Sequence, residues 1–234
     1  MGKASSKTKR KTRKSSAKRG NVQAAYSPFE EKLTDVFSAF APLKCSDQCT
    51  EQEIEKVRGK VGGAIPEILE SYYRLAGNSW VNSAYQRLVP SEEIVVVDRG
   101  IVFAEECQRI VAWGISSQDL GEPDPPVLQV DAKNKVWYSD SKRLSSFLLK
   151  FACWQAVGGV MPYIRRYEVS DGARKRISAR LRRADLDSPD YSHPLRAYYL
   201  PGLVACLWNT GKKQTAFVGT TQSQQLTQFE KDLL

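Results

Sequence analysis

The chain of 234 residues holds a single histidine, His193, and that scarcity removes whole classes of chemistry at once. One imidazole, followed by Pro194 after an acidic turn, has no second histidine with which to share a metal and no motif partner for nucleophilic catalysis. Nucleophile elbows of the form GxSxG, phosphate loops of the form GxxxxGK[ST] and GxGxxG fingerprints are missing as well. Cysteine is sparse: Cys45, Cys49, Cys107, Cys153 and Cys206 leave one thiol over in any pairing and never form CxxC. Cys107, Cys153 and Cys206 lie among apolar residues and read as buried small hydrophobes in a reducing compartment. Cys45 and Cys49 stand one helical turn apart or share a loop. No apolar run approaches the roughly 18 residues of a membrane span, and none follows the charged start as a secretory signal requires. These absences predict a soluble cytoplasmic protein, or a nuclear one in a eukaryote, with no metal, no cofactor and no catalytic constellation.

What the chain does have is an unequal distribution of charge. The first twenty residues carry nine Lys and Arg, no acid and almost nothing apolar. Such a segment cannot bury enough surface to offset the entropy of ordering, so residues 1–25 are predicted to be a disordered basic tail. The whole chain is +9 and this tail alone is +9, which leaves the body neutral. Within the body, residues 165–183 hold eight Lys and Arg against Glu168 and Asp171, a surplus of six, so the remainder of the body is at minus six.

Patterning along the body predicts helices first. Ser27-Pro28-Phe29-Glu30 has the form of a capping box with proline at the first helical position, and Phe29, Leu33, Val36, Phe37 and Phe40 then share a face until Pro42. Thr50-x-x-Glu53 opens a second helix with Ile54, Val57 and Val61 inward, stopped by Gly62-Gly63. A third starts at Pro66, carries Ile68, Leu69, Tyr72, Tyr73 and Leu75, and is capped by Gly77. Residues 109–115, 127–130 and 136–138 are short runs rich in Val, Ile, Trp and Tyr, the last two joined by a loop with Lys133 and Asn134, as in a strand meander. From Leu144 the period becomes helical, giving Leu144, Phe147, Leu148, Phe151 and Trp154 or Gln155 one apolar face. Residues 171–186 read as a basic helix with Ile177, Leu181 and Ala184 inward. Residues 202–208 and 214–219 read as a hairpin and 223–233 as a closing helix. The fold class is therefore α+β, an antiparallel sheet with N-terminal helices and a packing helix. One domain over residues 26–234, its C-terminal hairpin extending the same sheet, is the favoured organisation; an independent C-terminal subdomain is the other.

The order of these pieces resembles the SUKH superfamily, which joins a yeast cell-wall-synthesis regulator family with many bacterial immunity proteins. The resemblance rests on Ile65-Pro66 and Tyr72-Tyr73 ahead of Gly77-Asn78, on Glu106-x-Gln108 before Trp113-Gly114-Ile115, and on Asp124-Pro125-Pro126-Val127, Trp137 and Leu144-x-x-Phe147-Leu148, and it covers about residues 50–156. It implies a non-catalytic domain that binds a protein partner: a toxin, commonly a nuclease, which it neutralises by contact, or a client of a scaffold like that of the cell-wall branch.

Two sets of side chains are candidates for that role. The acids Glu92, Glu93, Glu105, Glu106, Asp119, Glu122 and Asp124, together with Gln108 beside Glu106, would steer and hold a basic partner; as bland a reading is a solvated acidic face. The cations Lys9, Arg10, Lys11, Arg13 and Lys14 in the tail, with Arg180, Arg182 and Arg183, suit an anionic partner such as nucleic acid. Trp113, Trp137 and Trp154, with Tyr138, could form a base-stacking platform, but nothing basic is interleaved among them and core positions suit them better; Trp137 in particular is expected to be buried against the helix from Leu144. No residue before Asn21 offers an apolar group worth burying. A chain beginning at Asn21 should therefore melt at the same temperature as the full chain, and a fall of several degrees would show that the arm packs on the body.

Overall fold

The computed structural model describes residues 27–97, 99–131, 136–185, 194–209 and 214–234. The predicted tail with Lys9, Arg10, Lys11, Arg13 and Lys14, the loop with Lys133 and Asn134, and His193 lie outside the described residues.

Three helices open the described chain: α1 (Pro28–Ser38), α2 (Glu51–Val61) and α3 (Glu67–Ala76). Both capping boxes form as the sequence predicts. Glu30 N donates to Ser27 Oγ while Ser27 N donates to Glu30 Oε2 at 2.8 Å, and Thr50 and Glu53 repeat the arrangement. Gly62 ends α2 with φ of 86°, the left-handed cap that suits glycine. Gly77 ends α3 for a different reason: its backbone is right-handed, but a Cβ there would run into Cys49 Sγ and Tyr73. The residue is needed for close approach rather than for its φ.

Six short strands follow: β1 (Arg87–Leu88), β2 (Val95–Val97), β3 (Gly100–Glu105), β4 (Val111–Ser116), β5 (Val127–Asp131) and β6 (Trp137–Ser141). They form one antiparallel sheet in the order β1-β3-β4-β5-β6, with β2 also pairing β3. The chain then enters α4 (Leu144–Gln155), whose first turn is capped by Asp124: Ser145 N and Ser145 Oγ donate to its two carboxylate oxygens at 2.8 and 2.6 Å. The single apolar face expected for this helix is a correction to make. Leu144, Phe147, Leu148, Leu149, Phe151, Ala152 and Cys153 are all buried, as are Ser145, Lys150 and Gln155. A helix buried around most of its circumference needs a second covering layer.

That layer is a second sheet, so the C-terminal hairpin does not extend the first. Its strands are β7 (Tyr163–Glu168), β8 (Arg182–Arg183), β9 (Leu195–Leu200), β10 (Leu203–Asn209) and β11 (Gln214–Thr220), antiparallel in the order β7-β11-β10-β9-β8. Helix α5 (Asp171–Arg180) links its two edge strands, and α6 (Ser223–Leu233) closes the chain. In β9 and β10, Ala197, Tyr199, Val204 and Cys206 join the core around α4, while Tyr198, Leu203, Ala205 and Leu207 join a second core under α5 and α6. Burial on both faces explains why β10 is apolar without alternation over residues 203–208. The order of layers is therefore first sheet, helices α1, α3 and α4, second sheet, helices α5 and α6. The first core draws on residues from both halves of the chain. Asp35 of α1 adds a polar tie to the second sheet, accepting from Tyr199 Oη at 2.6 Å and pairing with Arg182. Among the described residues no helix is long and apolar enough to cross a membrane.

Three further expectations need correcting. The basic helix stops at Arg180 instead of running to Leu186; Arg182 and Arg183 pair with Tyr199 and Tyr198 as an edge strand. The extended form turns both Leu181 and Ala184 inward and supplies the edge of β9 with a partner. Cys107 is exposed, in the turn beyond β3, whereas Cys153 and Cys206 are buried as expected; Cys49 is also buried, and burial pushes its thiol up to about 11. Trp137 belongs to neither core. Trp113 and Ile115 point toward α4, so Ala112 and Gly114 face outward, and Trp137, in register with Val130 and Ala112, lies over Gly114 on that outer face. Leu148, wholly buried in α4, should cost roughly 2–5 kcal/mol as Leu148→Ala, and Trp137→Ala should cost less in the same urea melts. The reverse order would mean that the outer face, not the helix layer, carries the stability.

Candidate functional site

Where the two sheets diverge beside α4 they leave a cleft of about 690 Å³, within the usual range for ligand sites. Helix α4 supplies one wall through Phe147, Lys150, Phe151 and Trp154, residues three or four apart that share a stripe. Trp113 of β4, Gln129 of β5 and Ser139 and Asp140 of β6 come from the first sheet, and Leu195 and Trp208 from the second. Tyr85 and Gln86, just before β1, and Glu106, just after β3, complete the rim.

The aromatic rings brace one another. Trp113 lies 5.7 Å from Phe147 and 6.5 Å from Phe151, and Trp154 lies 5.8 Å from Trp208, 6.1 Å from Tyr85 and 5.1 Å from Phe217. Tilted and edge-on contacts at these spacings are favourable and hold large apolar surfaces in place. Polar groups form a chain along the floor: Trp113 Nε1 donates to Asp140 Oδ2 at 3.1 Å, Ser141 Oγ donates to Asp140 Oδ1 at 3.0 Å, and Lys150 Nζ donates to Ser141 Oγ at 3.4 Å.

Glu106 is positioned through a relay that begins in α4. Gln155 is fully buried; its Oε1 accepts from Gln86 N at 2.7 Å, and its Nε2 donates to Val81 O at 2.9 Å and Gln86 O at 2.6 Å. The Gln86 side chain then accepts from Cys107 N at 2.7 Å. Across the hairpin Glu106 N donates to Val111 O and Arg109 N to Glu106 O, both at 2.8 Å, with Arg109 in the left-handed region at φ of 57°. The backbone on each side of Glu106 is thus held, and its Oε2 atom is buried with no hydrogen-bond partner among the described residues. A desolvated carboxylate oxygen left unpaired carries a free-energy cost that a bound donor would remove.

The acids expected to form one face are dispersed. Glu93 and Glu105 flank Arg87 in ion pairs, and Glu92 is exposed next to Glu93. Gln108 is exposed in the turn after Glu106 and does not line the cleft. Asp119, Glu122 and Asp124 fall in the β4–β5 loop, at the other end of strands six residues long, or about 20 Å away; Asp124 is occupied as the cap of α4, and Glu122 lines a smaller hollow with Glu67 and Glu70. Only Glu106 of this set reaches the cleft. The basic set is largely paired within the chain. Arg165 bonds Glu230, Arg174 bonds Asp171, Arg180 and Arg182 face Asp232 and Asp35, and Arg183 pairs with Asp185. Arg176 donates to the carbonyls of Leu233 and Leu234, and Arg166 lies over the Phe217 ring at 5.7 Å.

Trp113 and Trp154 are thus not simply core residues: each packs against the core with one side and lines the cleft with another. Trp208, Gln86, Lys150 and Gln155 did not stand out in the sequence. The available signal was the pair of polar residues, Lys150 and Gln155, inside a helix otherwise nearly all apolar. Among the described residues no group of three or more His, Cys, Asp or Glu side chains comes together as metal ligands would. No protein-family model, curated protein or solved structure matches the chain. Replacing Gln155 by Leu would strand a buried N–H and two carbonyls. It should destabilise by at least about 3 kcal/mol, since each of the three buried unpaired groups costs about 1–3, and should speed hydrogen exchange at the Gln86 and Cys107 amides. Unchanged exchange there would show that another contact holds the Glu106 hairpin.

Proposed function

We propose that this is a non-catalytic binding protein of the cytoplasm, similar to SUKH immunity proteins, that neutralises a toxin by direct contact and receives part of it in the cleft between the sheets. The observation that carries the proposal is Glu106. It stands at the Glu-x-Gln position of the resemblance, and it is the one acid of the predicted set that lines a concave, aromatic surface. Aromatic anchors in a partly desolvated pocket are where protein interfaces concentrate their energy, and Trp113, Trp154 and Trp208 supply them. In this reading the exposed Glu92 contributes long-range steering and not contact. The scaffold reading, after the cell-wall branch of the resemblance, would use the same cleft for a client in place of a toxin.

Nucleic-acid binding through the body is the weaker alternative. Five of the eight cations between residues 165 and 183 are in ion pairs with the chain's own acids, so engaging phosphates would first break those contacts.

The test is affinity capture from the native cells followed by kinetics on the recovered partner. Trp208→Ala should abolish capture while the protein keeps its circular dichroism, and Glu92→Lys should slow association and reduce its salt dependence with little change in dissociation. The partner's toxicity should be relieved by the wild-type protein and not by Trp208→Ala. Capture that survives Trp208→Ala but is lost with the tail would move the contact to residues 1–25 and end the cleft reading.

A further inference from the structure

Resting on the cleft as the contact surface, we infer that it is built to take a cationic side chain, an arginine, presented by an extended segment of the protein partner. Three observations converge. Among the described residues, the charged ones lining the cleft are Glu106, Asp140 and Lys150, which sum to one excess negative charge. Asp140 and Lys150 are tied into the hydrogen-bond chain through Ser141 and Trp113, so the excess falls on Glu106, whose Oε2 is buried and without a hydrogen-bond partner among the described residues. Tryptophan rings border the same space. A carboxylate short of donors in a cleft that tryptophans also line is the chemistry that recognises a guanidinium: the planar cation can stack on a ring while its N–H groups pair with the carboxylate.

The alternatives fit less well. An anion would meet Glu106 and Asp140 at close range. A purely apolar segment would leave the buried Glu106 oxygen still without a donor and its cost in place. The volume of about 690 Å³ admits several residues in addition to the one cation, so the arginine is the anchor of a longer contact.

The probes are a blocked Ala-Arg-Ala tripeptide and its counterpart with citrulline, which keeps the shape of arginine and removes the charge. Binding to the full chain is read from the indole N–H signals of Trp113, Trp154 and Trp208. The arginine peptide should shift these signals saturably, and the citrulline peptide should bind at least about tenfold more weakly, as expected for loss of a charge-assisted pair. Glu106→Gln should remove the preference, and because it discharges an oxygen that has no partner it should leave the melting temperature unchanged or raised. Glu106→Asp, which draws the carboxylate back by one methylene, should reduce the preference without abolishing it. Equal binding of the two peptides, absence of any shift, or an arginine preference that persists in Glu106→Gln would each overturn the inference. So would carbodiimide coupling of Glu106 to a lysine of residues 1–20 in the same chain, which would make the chain's own arm the occupant. The partner experiment separates the two levels. Capture lost with Trp208→Ala but indifferent to Glu106→Gln keeps the cleft and rejects the cation, whereas an arginine preference in the peptides with capture indifferent to both substitutions keeps the cation site and rejects the cleft as the partner surface.

Discussion

Everything in this fold depends on the enclosure of α4. A helix whose Leu144, Phe147, Leu148, Leu149, Phe151, Ala152 and Cys153 are all buried keeps little solvent-exposed surface outside the cleft, and each such large side chain contributes about 1.5–3 kcal/mol when fully buried. The first sheet and helices α1 and α3 cover part of α4. The rest is covered by the second sheet, and that requirement turns two regions of sequence into one structure. Strands β9 and β10 are apolar on both faces because one face must cover α4 and the other must receive α5 and α6.

The same helix organises the cleft. Its stripe of Phe147, Lys150, Phe151 and Trp154 emerges where the sheets part, and its last residue, Gln155, reaches back to Gln86 and through it to the turn after Glu106. The rim is therefore tied to the most deeply buried element and not left to loop conformation, which gives the carboxylate and the tryptophans fixed relative positions. Buried polar groups such as Gln155 have value only when every partner is present, and here the amide oxygen and nitrogen are both engaged. Glu106 Oε2 departs from that pattern at the rim of the cleft that the two sheets share with α4, the place where a ligand can supply what the chain does not.

Much of the local structure was legible beforehand. Ser27 and Thr50 announced two helix starts because side-chain caps act within three residues; the strands β4, β5 and β6 and the helices α3 and α6 were visible in apolar period and turn residues. Gly77 ends α3 as expected, though what demands glycine there is Cys49, distant in sequence. Trp137 was misread because the residue beneath it, Gly114 on another strand, decides which face it covers, and Cys107 because its apolar neighbours lie in a turn and not in a core strand. Of the candidate site, Glu106 and the aromatics Trp113 and Trp154 were identifiable as unusual, while Trp208 was hidden in an apolar run that also serves as core.

By itself the sequence determined the caps, the succession of helices and strands, the α+β class and the burial of most of its large apolar residues, since these follow from steric and hydrogen-bonding rules that operate over a few residues. Only the tertiary structure decided that there are two sheets instead of one, that the predicted acids part to opposite ends of the strands, and that Glu106 meets the tryptophans of both halves across a single cleft. Those outcomes depend on which faces remain uncovered once α4 is enclosed, and an uncovered face is a property of the assembled layers that no short stretch of chain contains.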